Sequence, residues 1–350
     1  MCSSDLAALY ALANLTAWSL GSGGPLYWDS HGYVLQAITG RAGGLMLGRP
    51  TFVLLSHGVA SIWQSLGGPP RSLECLLRAF WTLCAAAGAP ALAWLALELR
   101  APPRVARSAG LLLALSPVVA HSSHAVLTDG PSMAAALLAL ALATRAAARR
   151  SPPTMLFAGL VLGVATGLRE PTLATLVTLL GLSAITERRV ALALGALVGC
   201  AATLLPAVAW FVATQPGYLG TVRQWSLEMS RERTAHPYGW RDFAAFLAWT
   251  LAAGPVLVIS LATRWRAVHA ALRITPPAQV VIGVSAAQFL ALAFYQDIAF
   301  SPRYLLAALP TALVLPAAWA LADAPWRRPA IDRKSTRLNS SHTVISYAVF

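Results

Sequence analysis

LTDGPSMAAALLALALATRAAARR, residues 127–150, is the stretch whose reading decides the fold. Asp129 opens it, Gly130 and Pro131 follow, and an apolar run continues to Thr144 before Arg145, Arg149 and Arg150 close it. An apolar run of this kind reads as a membrane-spanning helix. An ionisable group at the end of such a span is costly to bury and is a functional candidate by default. The arginines at the far end are the usual topology signal.

Working outward, the same pattern recurs. Apolar spans are predicted near 7–20, 72–98, 108–120, 130–144, 154–168, 171–186, 190–213, 243–263, 279–296 and 304–322, about ten helices in all. The third and fourth flank a short polar break, His121 to Asp129. The fifth and sixth are separated only by Arg169-Glu170-Pro171, a tight hairpin, because proline disfavours helix in the residue before it. Composition agrees: the chain is 57% hydrophobic and 11% charged, too poor in polar residues for a soluble domain of this length. The expected fold class is therefore all-α integral membrane.

The formal net charge of +13 does not point to nucleic acid, since no basic stripe with interleaved aromatics occurs. The arginines fall instead in short groups between spans: 100, 104 and 107; 145, 149 and 150; 188 and 189; 264, 266 and 273; 327 and 328. With about ten spans, every group lands on one side, which the positive-inside rule makes cytoplasmic. The other side then carries the long loop 21–71, the break at 121–128, the Arg169 hairpin, the loop 214–242 and the short loop 297–303. Loop 21–71 is expected to form short helices along the membrane surface, with Tyr27, Trp28 and Tyr33 at headgroup depth. Loop 214–242 holds Arg223, Arg231, Arg233 and Arg241 outside, against the topology rule. Anionic headgroups are one explanation for them, and a solvated loop paired with Glu228, Glu232 and Asp242 is the other.

The two ends read differently from the middle. DRKSTRLNSSH, from Asp332, matches the translation of a common short-read sequencing adapter, and Cys2 to Leu6 resembles the end of its partner. Lys334, the only lysine, lies in that tail. The expectation is that 1–6 and 332–350 are foreign and that 7–331 form a single transmembrane domain cut at both ends. Cys75, Cys84 and Cys200 fall inside apolar spans and read as small packing residues.

Four side chains gather at span ends on the outer side: Asp29, Asp129, Arg169 and Arg303. Each also has a plainer reading. Asp129 before Gly130-Pro131 suits a helix N-cap. Asp29 after Gly23-Gly24-Pro25 suits a turn. Arg303 suits an interfacial anchor, and Arg169 can simply pair with its neighbour Glu170. His31, His57, His121, His124 and His236 are also outside. His121 and His124 stand one helical turn apart, so a divalent metal is the one cofactor these side chains would suit; a polar interfacial break is the competing reading. No Asp-x-Asp pair, phosphate-binding glycine loop or Walker-type sequence supports nucleotide-sugar or ATP chemistry.

The order of these features resembles the polytopic glycosyltransferases of the C superfamily (GT-C), in particular protein O-mannosyltransferases and lipid A aminoarabinose transferases. The resemblance is carried by Asp29 with Tyr33 in the first outer loop, Leu127-Thr128-Asp129-Gly130-Pro131, Gly163 to Gly167-Leu168-Arg169, and Arg303-Tyr304-Leu305-Leu306 with Pro310. It departs from the family at Ser30, where a second acid is common, and in lacking the extended carboxy-terminal region. The resemblance implies an inner- or plasma-membrane enzyme that moves a sugar from a polyprenyl-phosphate donor to a lipid, glycan or protein acceptor on the outer face. It makes Asp29 the base that deprotonates the acceptor hydroxyl. Arg303 and then Arg169 would stabilise the departing phosphate, and Asp129 would orient hydroxyls or help to hold a metal. Tyr33, His31 and Tyr304 are the expected substrate contacts. A multispan transporter or flippase for a lipid-linked substrate is the alternative, and it predicts inverted repeats and polar sites near the midplane, neither of which is evident.

Overall fold

The structure, a computed structural model, describes residues 3–21, 28–43, 49–123, 126–235, 238–273, 275–294 and 302–322. Among these the chain is helical throughout, with no strand. The helices are α1 Ser3–Gly21, α2 Trp28–Thr39, α3 Pro50–Ser65, α4 Leu73–Ala86, α5 Gly88–Glu98, α6 Pro103–Ala114, α7 Pro117–Ser123 and α8 Asp129–Arg149. They continue with α9 Pro152–Leu168, α10 Thr175–Ala184, α11 Arg189–Thr214, α12 Tyr218–Ala235, α13 Trp240–Ala253, α14 Pro255–Arg273, α15 Pro276–Ala291 and α16 Leu315–Ala322.

Four helical stretches are long and apolar enough to cross a membrane: Pro70–Glu98, Asp129–Arg149, Arg189–Thr214 and Pro276–Phe294. The protein is an integral membrane protein on this evidence. Pro152–Leu168, Glu170–Ala184 and Pro310–Ala322 are apolar but shorter. Several expected spans are not single rods. The one over 108–120 stops at Ala114 and restarts at Pro117, whose ring cannot follow inside a continuing helix. The one over 243–263 bends by 93° between Trp240–Ala253 and Leu257–Arg264, with Gly254 at the break. The last begins as a 3₁₀ segment, Pro302–Ala307, and passes through a π turn, Pro310–Val314, before α16. The region 214–242, expected as a loop, is mostly the helix α12. Region 21–71 does carry helices, α2 and α3.

Burial separates centre from rim. Of the apolar window of α8, 78% is buried, against 28% for α11. Leu92, Ala139, Leu162 and Val314 are fully buried in the main apolar cluster around α8. Leu194, Leu197, Leu205 and Trp210 of α11 face outward, as suits a helix lining lipid. A second cluster caps one end of the bundle. There Tyr33 meets Phe52 edge-on (centroids 5.3 Å apart), Phe52 stacks on Trp81 at 4.7 Å, and Trp81 Nε1–H donates to Ser56 Oγ at 3.1 Å. At the opposite end the arginine groups near 100, 145 and 188 converge: Arg145 pairs with Glu98 at 3.7 Å and Arg150 with Glu187 at 2.6 Å.

Close backbone packing of α9 on α11 sets the position of the capped end. A Cβ on Gly163 would fall 1.9 Å from Thr203 Oγ1 and 2.4 Å from Cys200 O, and one on Gly199 would fall 2.2 Å from Leu156 O. Only glycine allows this approach, which lipid-embedded helices use in place of a hydrophobic drive. Thr203 Oγ1–H then donates across the seam to Leu160 O at 3.0 Å. Gly163→Val is expected to push the helices apart and lower the unfolding temperature in detergent, at a cost of about 1–3 kcal/mol or more. An unchanged melting curve would show that the seam is not tight.

Candidate active site at one end of the bundle

α8 begins at Asp129 and α9 ends at Leu168, so their sequence puts Asp129 and Arg169 at the same end of an antiparallel pair. Asp129 is not an N-cap: Thr128 occupies the cap position and Asp129 is already helical. Its carboxylate faces Arg169 instead, Oδ1 to Nη1 at 2.6 Å, both side chains being buried. The pairing of Arg169 with its neighbour Glu170 is also overturned. Arg169 adopts an extended backbone (φ −158°, ψ 123°) that turns the two side chains apart. Its carbonyl accepts from Thr172 Oγ1 at 2.7 Å, which stabilises that turn.

Glu170 faces Arg49, Oε2 to Nε at 3.8 Å, and Arg49 Nη1–H donates to the Tyr33 hydroxyl. Arg49 is brought in by α3. A Cβ on Gly167 would meet Thr51 Oγ1 at 1.9 Å, so the start of α3 sits directly on the end of α9. Burial pulls the pKa of the Arg49 guanidinium down, and Arg303 adds to that, but Tyr33, Glu170 and Asp129 together leave it raised above the ordinary arginine value. Burial and Glu170 both push the Tyr218 hydroxyl up, and Tyr218, at the start of α12, belongs to the same apolar cluster as Tyr33.

Tyr304 joins the remaining cation. Its ring centroid lies 5.0 Å from Arg169 Cζ and 5.4 Å from Arg303 Cζ. Arg303 and Tyr304 come from the 3₁₀ segment, whose tight turn brings successive side chains close to the start of α8. Arg49, Arg169 and Arg303 are 9%, 6% and 7% exposed and Asp129 is 2% exposed, so these charges sit out of bulk solvent. Among the described residues, Arg49 thus faces Glu170, Arg169 faces Asp129, and Arg303 lies against the ring of Tyr304. Buried charge of this sort is retained at a cost in desolvation and fits a site for an anion.

The site is also short of hydrogen bonds. The Asp129–Arg169 contact lacks hydrogen-bond alignment, and neither Asp129 oxygen has a hydrogen-bond partner among the described residues. The buried hydroxyls of Thr51, Thr128 and Thr166, each within three residues of a site charge, have none either. Buried polar atoms are normally satisfied, so unfilled ones gathered at one place mark where a polar ligand or water completes the network.

Two solved structures share this arrangement of helices. The Archaeoglobus fulgidus oligosaccharyltransferase in complex with Zn and sulfate matches with a TM-score of 0.51 and 14% identity, over 90% of this chain and 48% of that one. The archaeal oligosaccharyltransferase AglB from the same organism, in complex with an inhibitory peptide and a dolichol-phosphate, matches with a TM-score of 0.55 and 14% identity, over 91% of this chain and 50% of that one. The chain shares its fold with these two structures. This chain spans about half the length of those proteins. No family model matches the chain, and no curated protein does.

Of the residues singled out from sequence, Asp129, Arg169, Arg303, Tyr304 and Tyr33 come together at this end of the bundle. Asp29 opens α2 one helical turn before Tyr33, but the side chains of Asp29 and His31 lie outside the described residues, as do those of His121, His124 and His236. His57 Nδ1 lies 2.9 Å from Ala37 O. No cluster of His, Cys, Asp or Glu able to hold a metal occurs among the described residues, where Asp129 and Glu170 each face an arginine. Arg49 and Glu170 escaped the sequence reading. The signal for Arg49 was present, since an arginine in an outer loop runs against the topology rule as Arg223 does. Glu170 was seen only as a neighbour of Arg169.

Proposed function

We propose that this protein is a membrane glycosyltransferase that moves a sugar from a polyprenyl-phosphate donor to an acceptor at the extracytoplasmic face. The observation that carries the reading is the gathering of Arg49, Arg169 and Arg303 with Asp129 at one end of an apolar bundle. A phosphate bound there would lie at the end of the bundle while its prenyl chain ran down between apolar helices. A fold shared with oligosaccharyltransferases, one of them in complex with a dolichol-phosphate, supports a lipid-linked donor. The arginine groups at the opposite end support an orientation with the site outside, and about ten crossings in a bacterial inner or plasma membrane.

In this reading the acceptor hydroxyl loses its proton to Asp29 as its oxygen attacks the anomeric carbon. The bond from that carbon to the phosphate oxygen breaks, the electron pair leaves with the lipid phosphate, and the configuration inverts. Negative charge grows on the phosphate, and Arg303 stabilises it there, with Arg169 held in place by Asp129 and Arg49 by Glu170. Tyr33, His31 and Tyr304 line the sugar and acceptor, and an Asp129 oxygen accepts from a substrate hydroxyl.

The test is release of free polyprenyl phosphate by the protein in proteoliposomes, offered a panel of polyprenyl-phosphate sugars and candidate lipid, glycan and protein acceptors. Arg303→Ala is expected to lower turnover by roughly 10²–10³-fold, the usual effect of losing one donor to a developing anion, with membrane levels unchanged. Equal turnover and donor affinity would remove Arg303 from the phosphate site. No release with any donor from folded protein would favour transport of a lipid-linked substrate.

A further inference from the structure

We propose that α12 carries a docking face for anionic phospholipid headgroups. The helix starts just past the end of α11, after a turn at Gly217 (φ +79°). Beyond Arg189, α11 carries no charged residue up to its end at Thr214, so that end lies where acyl chains give way to headgroups. α12 therefore begins at the depth of that boundary.

One face of α12 is already occupied. Tyr218 stacks on Phe211 at 5.4 Å, and Val222 and Trp225 pack on the cluster that holds Phe52 and Trp81. On the far side Leu219, Arg223, Leu227 and Arg231 follow at four-residue spacing, and all four are exposed. Each four-residue step advances about 40° around a helix, so they form one stripe about 120° wide, turned well away from the packed face. Glu228 lies outside the stripe and accepts from Gln224 Nε2–H at 3.0 Å. The stripe thus alternates leucine and arginine and contains no acid.

That alternation fits a lipid headgroup layer. Leucine enters the acyl boundary while the neighbouring guanidinium reaches up to phosphate oxygens, with which it pairs in a bidentate fork. Two leucines offer far too little area for a stable protein partner, which buries about 800 Å² per side. Two arginines on a stripe that itself carries no acid favour anionic over zwitterionic lipid. The contact would be made close to the candidate site, because the first residue of α12, Tyr218, packs in the same apolar cluster as Tyr33.

The whole chain in nanodiscs tests this, with Leu227→Cys on a background free of its other cysteines and labelled with bimane. Lipids carrying a doxyl group near the headgroup are expected to quench the label strongly, and aqueous iodide weakly. Doxyl phosphatidylglycerol should quench roughly twice as well as doxyl phosphatidylcholine at equal mole fraction. Adding Arg223→Gln and Arg231→Gln should bring the two lipids level while quenching by phosphatidylcholine persists. Quenching by iodide alone would put the stripe in water. Quenching by neither agent would mean a protein covers it, and equal quenching by the two lipids in the parent would remove the anionic preference. Any of these three results overturns the proposal.

Discussion

Arg169→Ala is expected to lower the stability of the folded chain by about 3–5 kcal/mol, because it leaves the Asp129 carboxylate buried without its contacting guanidinium. The pair is formed at 2.6 Å between side chains closed off from solvent, so water cannot replace the lost guanidinium at low cost. The Arg169 side chain also packs on Tyr304, and truncation removes that contact too. Unfolding in detergent, followed by heat or denaturant, measures the loss. The diagnostic companion is the double variant Asp129→Leu with Arg169→Met. It removes both charges at similar volume and is expected to recover most of the lost stability, since a buried pair seldom outperforms apolar packing. It should remain inactive in transfer. A double variant no more stable than Arg169→Ala would show that the pair does more than neutralise itself.

Asp29→Asn is expected to cut sugar transfer by roughly 10²–10⁴-fold, the range a positioned general base contributes. The amide keeps the size of the carboxylate but cannot take the proton of the acceptor hydroxyl. Unfolding temperature and affinity for polyprenyl phosphate should both stay at parental values, since the role assigned to Asp29 concerns the attacking oxygen alone. That separates it from Asp129→Asn, which should lower stability and turnover together by weakening the hold on Arg169. Retained transfer by Asp29→Asn would remove Asp29 as the base and leave it a first-turn residue of α2, the helix that replaces the turn expected from sequence. The rest of the proposed chemistry would then need another proton acceptor near Tyr33.

The candidate site was partly legible because charge in an apolar chain is conspicuous. Asp129, Arg169 and Arg303 stand out in sequence for the same reason that they matter in space: each ends an apolar run, where burial of an ion is costly unless something uses it. Their partners were not legible. Glu170 adjoins Arg169 in sequence, and pairing neighbours is the simplest guess, yet the extended backbone at Arg169 sends the two side chains to different partners. Arg49 gave no motif of its own. Its place follows from Gly167, whose missing side chain lets Thr51 and the start of α3 settle on the end of α9.

By itself the sequence determined that this chain is a helical membrane protein with charged side chains at the helix ends and arginine groups between helices. Those properties depend on composition and on local runs, and hydropathy reads both directly. Only the tertiary structure decided how expected spans break at Pro117 and Gly254, that residues 218–235 form a helix, and which charge faces which. Asp129 and Arg169 come together because α8 and α9 run antiparallel, and Arg49 and Glu170 because α3 settles on α9 at Gly167. Such pairings depend on backbone distances of a few ångströms between distant segments, and no local pattern of residue types encodes them.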